Sequence, residues 1–333
     1  MTGVRAAFAM GPDAAAQVLT DTARATFAES CDLAPVLHDF TTPEAAAVLR
    51  DTELLITGWG CPPLDAAALA AAPRLRAVVH TAGSVRGVVT QACWDRGIEV
   101  SSAAAANALP VAEYTVAMIL LSGKRVLDQA RAYRAARARS GEFPELPGLG
   151  NYRRTVGVLS ASLIGRRVIE LLRPYDLRIL LHDPYVSAAE ARELGATSVE
   201  LTDLFTHSDV VSVHTPLLPA TRGLVNRALL FSMRPGAVLI NTARGAILDQ
   251  QALTDAATTG RLQAVLDVTD PEVLPPDHPL WTCDNVLITP HVAGSQGNEL
   301  ARLTDSAAAE VARWVAGAGF AYPVLPERLD FLA

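Results

Sequence analysis

Short β-branched runs alternate with segments of helical spacing through most of this chain. From residue 155 onward, apolar runs predict strands over Thr155–Leu159, Arg178–Leu181, Val210–Val213, Ala237–Ile240, Ala264–Val268 and Val286–Ile288. Helical spacing over Ile164–Leu172 joins the first two strands into a βαβ unit. This alternation is typical of a doubly wound parallel sheet, in which ligands bind at the carboxyl ends of the strands.

The first hundred residues repeat this pattern on a smaller scale. Leu54–Ile56 and Ala77–Val79 have the pattern of strands, and the alanine-rich segment Ala66–Ala72 between them has that of a helix. Pro110–Gly123 predicts a long helix with proline in its first turn, and Glu299–Ala316 predicts a last helix that packs on this N-terminal part. Because 333 residues exceed the size at which one core usually stops growing, we expect two domains.

The composition narrows the classes of partner and of cellular location. A net charge of −7 without basic clusters argues against nucleic acid and favours a small-molecule partner. The longest apolar stretch, Leu109–Leu121, is interrupted by Glu113 and is too short to cross a bilayer, and Met1–Met10 lacks a signal-peptide pattern. We therefore expect a cytoplasmic protein without a membrane partner. The cysteines lie far apart, with no histidine at ligand spacing, and indicate neither a metal site nor a disulfide framework.

A turn after the strand at Thr155–Leu159 partly matches a dinucleotide fingerprint. The fingerprint has three glycines at a strand-to-helix turn; here Ser160 and Ser162 occupy the first two positions, and Gly165 is retained. The serine hydroxyls are able to hydrogen-bond a phosphate, but a Cβ at each position opposes close approach of a pyrophosphate. An ordinary strand–turn–helix with a serine N-cap explains this segment equally well.

Asp183 ends the next strand, about 20 residues after the turn, where an acidic residue accepts from the adenosine ribose hydroxyls. Pro184 and Tyr185 follow, so no arginine stands ready to neutralise a 2′-phosphate. The sequence therefore favours NAD over NADP. The alternative is a turn residue that starts the loop before Pro184.

Longer motifs are more specific than this turn. They read HTPLLPATRGLVN from His214, VLINTARGAILD from Val238, LDVTDPEVLPPDHPLW from Leu266 and TPHVAG from Thr289, and Asn107 with Val111-Ala112-Glu113 adds a further match. With these motifs in this order, the chain resembles the NAD-dependent D-isomer-specific 2-hydroxyacid dehydrogenase family over nearly its whole length.

The resemblance implies a fold, a reaction and a homodimer. A Rossmann-type NAD-binding domain, residues 107–295, would be inserted in a flavodoxin-like substrate-binding domain formed by residues 1–106 and 296–333, both doubly wound parallel sheets. The reaction would be hydride transfer between NAD(H) and a D-2-hydroxy acid/2-keto acid pair. An NAD(H)-sensing binding protein is an alternative from another class. A degenerate homologue with weakened cofactor binding is a further alternative, suggested by the two serines.

Three residues carry the chemistry that the resemblance implies. Arg244 would hold the substrate carboxylate and polarise its carbonyl, because guanidinium presents parallel donors. His291 would exchange the proton, and Glu272 would orient its ring and stabilise its charged form. Relatives that oxidise formate carry glutamine at the position of Glu272, so a hydroxy acid is expected. Taken singly, these residues also fit a structural ion pair, a solvated loop carboxylate and a strand-end histidine.

Further contacts to the cofactor and the substrate follow from the same resemblance. The cofactor contacts are expected from Ser160, Ser162, Leu163, Ile164, Gly165, Asp183, His214, Thr215, Pro216, Thr242, Ala243, Arg244, Asp267, His291 and Gly294. Leu163 replaces a polar or basic residue of many relatives. The alternative for the contacts beyond the turn is tight loops after strands.

On the substrate side, backbone N–H groups of Gly83, Ser84 and Val85 are expected to bind the carboxylate together with Arg244. Arg86 would suit a dicarboxylate, phosphorylated or phosphonate acid, or it faces solvent. Trp59 lies between Gly58 and Gly60, and it either lines the side-chain pocket or packs against its own domain.

Overall fold

The computed structural model of the chain describes residues 3–138 and 149–327, which fold into two compact units. The first unit comprises the described residues within Met1–Ala108 and Ser295–Leu332, and the second those within Leu109–Gly294. The predicted domain ranges also include residues 1–2, 139–148 and 328–333, which lie outside the described part of the chain.

Strands and helices alternate along both units. The strands are β1 (Val4–Ala9), β2 (Cys31–Leu37), β3 (Leu54–Thr57), β4 (Ala77–His80), β5 (Glu99–Ser102), β6 (Thr155–Leu159), β7 (Arg178–His182), β8 (Thr197–Ser198), β9 (Val210–Val213), β10 (Val238–Asn241), β11 (Gln263–Leu266) and β12 (Val286–Ile288). The helices are α1 (Pro12–Val18), α2 (Asp21–Ala28), α3 (Pro43–Asp51), α4 (Ala66–Ala71), α5 (Gln91–Asp95), α6 (Ala104–Gly123), α7 (Val126–Ala136), α8 (Leu163–Leu172), α9 (Ala188–Leu194), α10 (Leu201–His207), α11 (Arg227–Ser232), α12 (Gln250–Thr258) and α13 (Leu300–Val315).

The first unit is a parallel sheet with the flavodoxin-like strand order β2-β1-β3-β4-β5. Helices α1, α2 and α13 cover one face of this sheet through Val18, Phe27 and Trp314. Helices α3 and α4 cover the other face through Leu49 and Leu69. Each face therefore has its own apolar core, as a doubly wound sheet requires.

The second unit is a parallel sheet with the order β12-β11-β10-β9-β6-β7-β8, in which the strands run outward in both directions from β6. Helices α6 and α8 pack on one face through Ile119 and Ile169. Helices α10, α11 and α12 pack on the other face through Leu204, Leu230 and Leu253. The prediction of two doubly wound parallel sheets is confirmed.

Helix α6 is longer than the sequence pattern predicts. It begins at Ala104, so Pro110 lies in its interior rather than in its first turn. By length and apolar composition alone this 20-residue helix is able to cross a membrane, and the prediction that the stretch is too short is wrong because the helix extends beyond Leu109–Leu121 at both ends. Ala112 and Ile119 nevertheless pack in the core of the second unit, as expected of a core helix.

A buried carboxylate ties the segment after α13 to the first sheet. Glu310, which is 2% exposed, accepts hydrogen bonds through Oε2 from the Ser101 hydroxyl (2.6 Å) and from Tyr322 N (3.0 Å). Its Oε1 accepts from Ala321 N (3.0 Å). Both oxygens are thus occupied by donors, which compensates for the loss of water around the carboxylate.

Glu310→Gln should lower the free energy of unfolding of the first unit by roughly 1–3 kcal/mol, the cost of leaving a buried donor unsatisfied. The glutamine amide replaces one acceptor oxygen with an NH₂ group, which then faces a backbone or hydroxyl donor. Urea unfolding followed by circular dichroism measures the change. Asp305→Asn, at an exposed position of the same helix, is the matched control. Equal unfolding midpoints for the Glu310 variant and the wild-type chain would show that the carboxylate does not carry this stability.

Candidate active site

Six loops begin at the carboxyl edge of the second sheet, one at the end of each of the strands β6, β7, β9, β10, β11 and β12. Strand β6 lies between β7 and β9. The connection after β6 leads to β7 on one side, and the connection after β9 leads to β10 on the other side. Ligands of open parallel sheets bind in the crevice at such a point. The residues predicted to bind cofactor or to take part in the reaction follow these strands.

In the turn after β6, serine occupies two positions at which the dinucleotide fingerprint has glycine. Ser160 has a φ of 79°, in the left-handed region that favours glycine. Ser162 is the N-cap of α8, and its hydroxyl accepts from Gly165 N at 3.3 Å. A Cβ on Gly165 would lie 2.1 Å from the carbonyl oxygen of Ser160, so glycine is required there. The retained third glycine therefore permits close packing of the helix against the turn.

Asp183 holds this turn from the end of β7. Its Oδ2 accepts from the Ser160 hydroxyl (3.1 Å) and from Ala161 N (2.8 Å). Its Oδ1 accepts from Tyr185 N (2.8 Å), so Asp183 is also the turn residue that starts the following loop. Because each carboxylate oxygen accepts about two hydrogen bonds, Oδ1 retains capacity for a further donor.

His214 lies on the other side of the crevice, after β9, and is buried. Burial lowers the pKa of His214 to about 3, so its ring is neutral. Nε2 lies 2.9 Å from the Ser212 hydroxyl, whereas the buried Nδ1 has no hydrogen-bond partner among the described residues. Thr215 is also buried, and Pro216 is half-buried.

These features fit a bound dinucleotide. The N-cap bond of Ser162 occupies the amide of Gly165, and the amides before it, at Leu163 and Ile164, have no intrahelical acceptors and suit an anion. Leu163 is 48% exposed at this helix end, and Ile164 packs against the core. A ring nitrogen of His214 without a partner among the described residues and the remaining acceptor capacity of Asp183 flank the same crevice.

Arg244 follows β10 in a loop held by a buried amide. Asn241 Oδ1 accepts from Ala243 N (3.0 Å), and its Nδ2 donates to the carbonyl oxygen of Arg244 (3.0 Å). A Cβ on Gly245 would lie 2.0 Å from the carbonyl carbon of Thr269, so this loop packs tightly against the segment that leads to Glu272. The half-buried Arg244 donates through Nη1 to the carbonyl oxygen of Ala243 at 2.6 Å.

His291 and Glu272 form a pair. Nδ1 of His291 lies 2.6 Å from Oε1 of Glu272, and both side chains are about half exposed. The contact orients the imidazole ring and leaves Nε2 as the nitrogen able to reach a substrate oxygen. The structure thus brings together two of the three predicted catalytic residues through a direct contact.

Asp267 fixes the loop that carries His291, a role that the sequence does not indicate. His291 has a φ of 54°, and its backbone N donates to the Asp267 carbonyl oxygen at 3.0 Å. The buried Asp267 carboxylate accepts from Thr289 Oγ1 (2.6 Å), Val292 N (2.9 Å) and Ala293 N (2.9 Å). All these partners lie within the loop and hold the histidine in its left-handed backbone conformation.

Helix α6 continues this network. The Tyr114 hydroxyl lies 2.8 Å from Thr289 Oγ1. Burial raises the Tyr114 pKa, and the hydrogen bond with Thr289 partly opposes this shift. The buried hydroxyl oxygens of Thr115 and Thr242 also lie within hydrogen-bond distance of each other, at 3.1 Å. Thr242, one of the predicted cofactor contacts, therefore has an internal partner. Ala243 is buried and Gly294 is half-buried. The only signal for Tyr114 is its place within the segment that follows Asn107.

In the first unit, the predicted substrate residues follow β3 and β4. Gly83 and Ser84 are half-buried, whereas the Val85 side chain lies in the core, so it offers only backbone groups. Arg86 is exposed on the same loop, and Trp59 is 43% exposed.

The geometry defines the second unit as a dinucleotide-binding α/β domain with a histidine–carboxylate pair at its binding edge. The model of the family described as D-isomer specific 2-hydroxyacid dehydrogenase, NAD binding domain, matches residues 116–293. The chain belongs to this family, and the matched residues form its NAD-binding domain.

Relatives and solved structures agree with this assignment. A D-3-phosphoglycerate dehydrogenase of Mycobacterium leprae is 32% identical over 274 residues, which cover 82% of this chain and 49% of that protein. The chain thus spans about half the length of that relative. A glyoxylate reductase of Aeropyrum pernix is 34% identical over 259 residues, covering 76% of this chain and 77% of that protein. The TT0316 protein of Thermus thermophilus shares 30% identity and a TM-score of 0.76, covering 96% of this chain and 100% of its own.

Proposed function

We propose that the protein is an oxidoreductase that transfers a hydride between NAD(H) and a D-2-hydroxy acid/2-keto acid pair. The observation that carries this proposal is the 2.6 Å contact of His291 Nδ1 with Glu272 at the same sheet edge as Arg244. Arg244, Glu272 and His291 follow three neighbouring strands, β10, β11 and β12. This set combines a fixed cation with an acid–base group, as reduction of a 2-keto acid requires.

In reduction, Arg244 binds the carboxylate and polarises the carbonyl of the 2-keto acid. His291, protonated and oriented by Glu272, donates a proton from Nε2 to the carbonyl oxygen as negative charge develops there. In oxidation, neutral His291 accepts the hydroxyl proton, and Glu272 stabilises the imidazolium. Asp267 acts as a positioning residue, because its bonds go to the loop and set the place of the ring.

NAD(H) supplies or accepts the hydride when bound. The turn at Ser160 and Ser162 with the first turn of α8 would hold its pyrophosphate, Asp183 an adenosine ribose hydroxyl, and His214-Thr215-Pro216 the adenine side. The carboxylate of Asp183 opposes a 2′-phosphate, which supports NAD over NADP.

The two units have separate roles in this proposal. Residues 107–295 form the NAD-binding domain, and residues 1–106 with 296–333 form the substrate-binding domain. The carboxylate of the substrate would reach the backbone N–H groups of the Gly83–Val85 loop. The position of this loop directly after β4, at the carboxyl edge of a parallel sheet, supports this assignment.

We propose further that the protein is a cytoplasmic homodimer without a membrane or nucleic-acid partner. Helix α7 supports self-association because none of its residues is buried, and Val126, Leu127 and Tyr133 are exposed apolar side chains on it. The packing of α6 residues in a protein core supports a protein free of the membrane.

The test is NADH binding followed by NADH oxidation with glyoxylate, hydroxypyruvate and larger 2-keto acids. Wild-type protein should quench or shift NADH fluorescence and consume NADH with at least one acid. Gly165→Ala should weaken NADH binding on the order of tenfold or more, because its Cβ displaces the Ser160 turn.

Gly3→Ala is the matched control, because a Cβ there meets only an ordinary contact at 3.7 Å. Failure to bind NADH at millimolar concentration would identify a degenerate homologue. Tight binding without turnover of any acid would favour an NAD(H)-sensing protein.

A further inference from the structure

A cavity of about 340 Å³ lies at the carboxyl edge of the first sheet. Gln17 of α1, Trp59 after β3, and Ser295 and Gln296 before α13 line it. We propose that this cavity binds the side chain of the 2-keto acid and selects an uncharged side chain that ends in a hydrogen-bonding group. This inference rests on the proposed function and names its substrate class.

Asn107 connects the cavity to the loop assigned to the substrate carboxylate. Its Oδ1 accepts a hydrogen bond from Ser295 N at 3.2 Å. Its Nδ2 lies 3.3 Å from the position that a Cβ on Gly83 would occupy. The Asn107 side chain thus hydrogen-bonds the cavity wall and lies next to the carboxylate loop. Because the carboxylate and the side chain of a 2-keto acid are attached on either side of one carbonyl carbon, their binding places must be close together.

The backbone of Trp59 is held in place, and its indole is exposed. Its carbonyl oxygen accepts from Gly11 N at 2.8 Å. Gly60, with a φ of 74°, packs so closely that a Cβ on it would lie 2.9 Å from the Gly11 Cα. A large aromatic side chain, 43% exposed on a constrained turn, offers an apolar face and a ring N–H to a ligand. This placement favours the pocket-lining interpretation of Trp59 over packing within its own domain.

Among the described residues, the lining combines aliphatic side chains from α1 and α13 with polar groups, and none of its residues is charged. Ser295 is 6% exposed, and its buried Oγ has no hydrogen-bond partner within the described ranges. Gln17 and Gln296 add amide groups, whereas Arg86 is not among the lining residues. A carboxylate or phosphate entering this cavity would lose water without gaining a counter-ion. A hydroxyl or amide finds both donors and acceptors there.

The experiment compares kcat/KM for 4-hydroxyphenylpyruvate, phenylpyruvate and 2-oxoglutarate, with NADH oxidation as the readout. The wild-type enzyme should prefer 4-hydroxyphenylpyruvate to 2-oxoglutarate by about tenfold or more, and phenylpyruvate should fall between them. Gln17→Arg should shift the ratio toward 2-oxoglutarate by about tenfold or more, because it introduces a counter-ion. The ratio cancels general effects of the substitution on the enzyme. Gln91→Arg, an exposed glutamine on α5, is the matched control and should leave the ratio unchanged.

Glyoxylate, which has no side chain, distinguishes failure of the proposed pocket from failure of the proposed function. Turnover of glyoxylate with a preference for 2-oxoglutarate among the larger acids overturns the pocket alone. If Gln17→Arg leaves the ratio of kcat/KM for 4-hydroxyphenylpyruvate and 2-oxoglutarate unchanged, the pocket alone is likewise overturned. Trp59→Ala provides a second variant and should lower kcat/KM for 4-hydroxyphenylpyruvate relative to glyoxylate. No turnover of any of the four acids overturns the proposed function and the pocket with it.

Discussion

His291→Asn should lower kcat for reduction of the 2-keto acid by about 10²–10⁴-fold, the contribution of a positioned proton donor. Asparagine tolerates the left-handed backbone conformation, in which His291 has a φ of 54°. The loop held by Asp267 should therefore keep its shape, and NADH binding should be unchanged. Only the proton donor is lost, so the effect should fall on kcat rather than on cofactor affinity.

Stopped-flow and steady-state NADH oxidation measure this change, and NADH fluorescence checks that cofactor affinity is kept. His207→Asn is the control, since His207 is exposed at the end of α10, before β9 begins. Normal reduction by the His291 variant would show that another group donates the proton.

Arg244→Lys should cost roughly 1.5–3 kcal/mol in kcat/KM, the contribution of one hydrogen bond to a charged group. This corresponds to a fall of roughly 10- to 150-fold. Lysine retains the charge but not the planar pair of donors, so it cannot hold the carboxylate and polarise the carbonyl together. We expect KM to rise and kcat to fall, because both the bound substrate and the transition state lose interactions.

Steady-state kinetics with NADH saturating separate the two constants. Arg227→Lys, at an exposed ion pair with Asp255, is the matched control and should leave both constants unchanged. Wild-type turnover by the Arg244 variant would mean that a point charge suffices and that the two parallel donors are not needed.

The hydrophobic pattern identifies six of the seven strands of the second sheet and misses only the two-residue strand β8, which has no apolar run. Thr155–Leu159, Val210–Val213 and Val286–Ile288 begin and end where the pattern predicts, because short, largely apolar runs with β-branched residues indicate strands. The start of α6 is missed by six residues, since small alanines before Leu109 give no strong periodicity. Tertiary packing, not the local sequence, decides where that helix begins.

The candidate site is predicted less completely than the fold. The contact of His291 with Glu272 follows from the order of the motifs, but the bonds of Asp267 to Thr289, Val292 and Ala293 do not. These bonds join residues more than 20 positions apart, as do the bonds of Asp183 to the Ser160 turn. Spacing along a sequence does not specify such pairings; the adjacency of strands in the folded sheet does.

Asp267 has a consequence for how this protein tolerates mutation and diversifies. Because one buried carboxylate holds the whole loop of the proton donor, a substitution there should abolish turnover of every acid at once. Gln17, at an exposed helical position in the first unit, is free to vary at little cost to the fold. New substrate preferences should therefore evolve through positions such as Gln17, while Asp267 is kept by selection for the reaction itself.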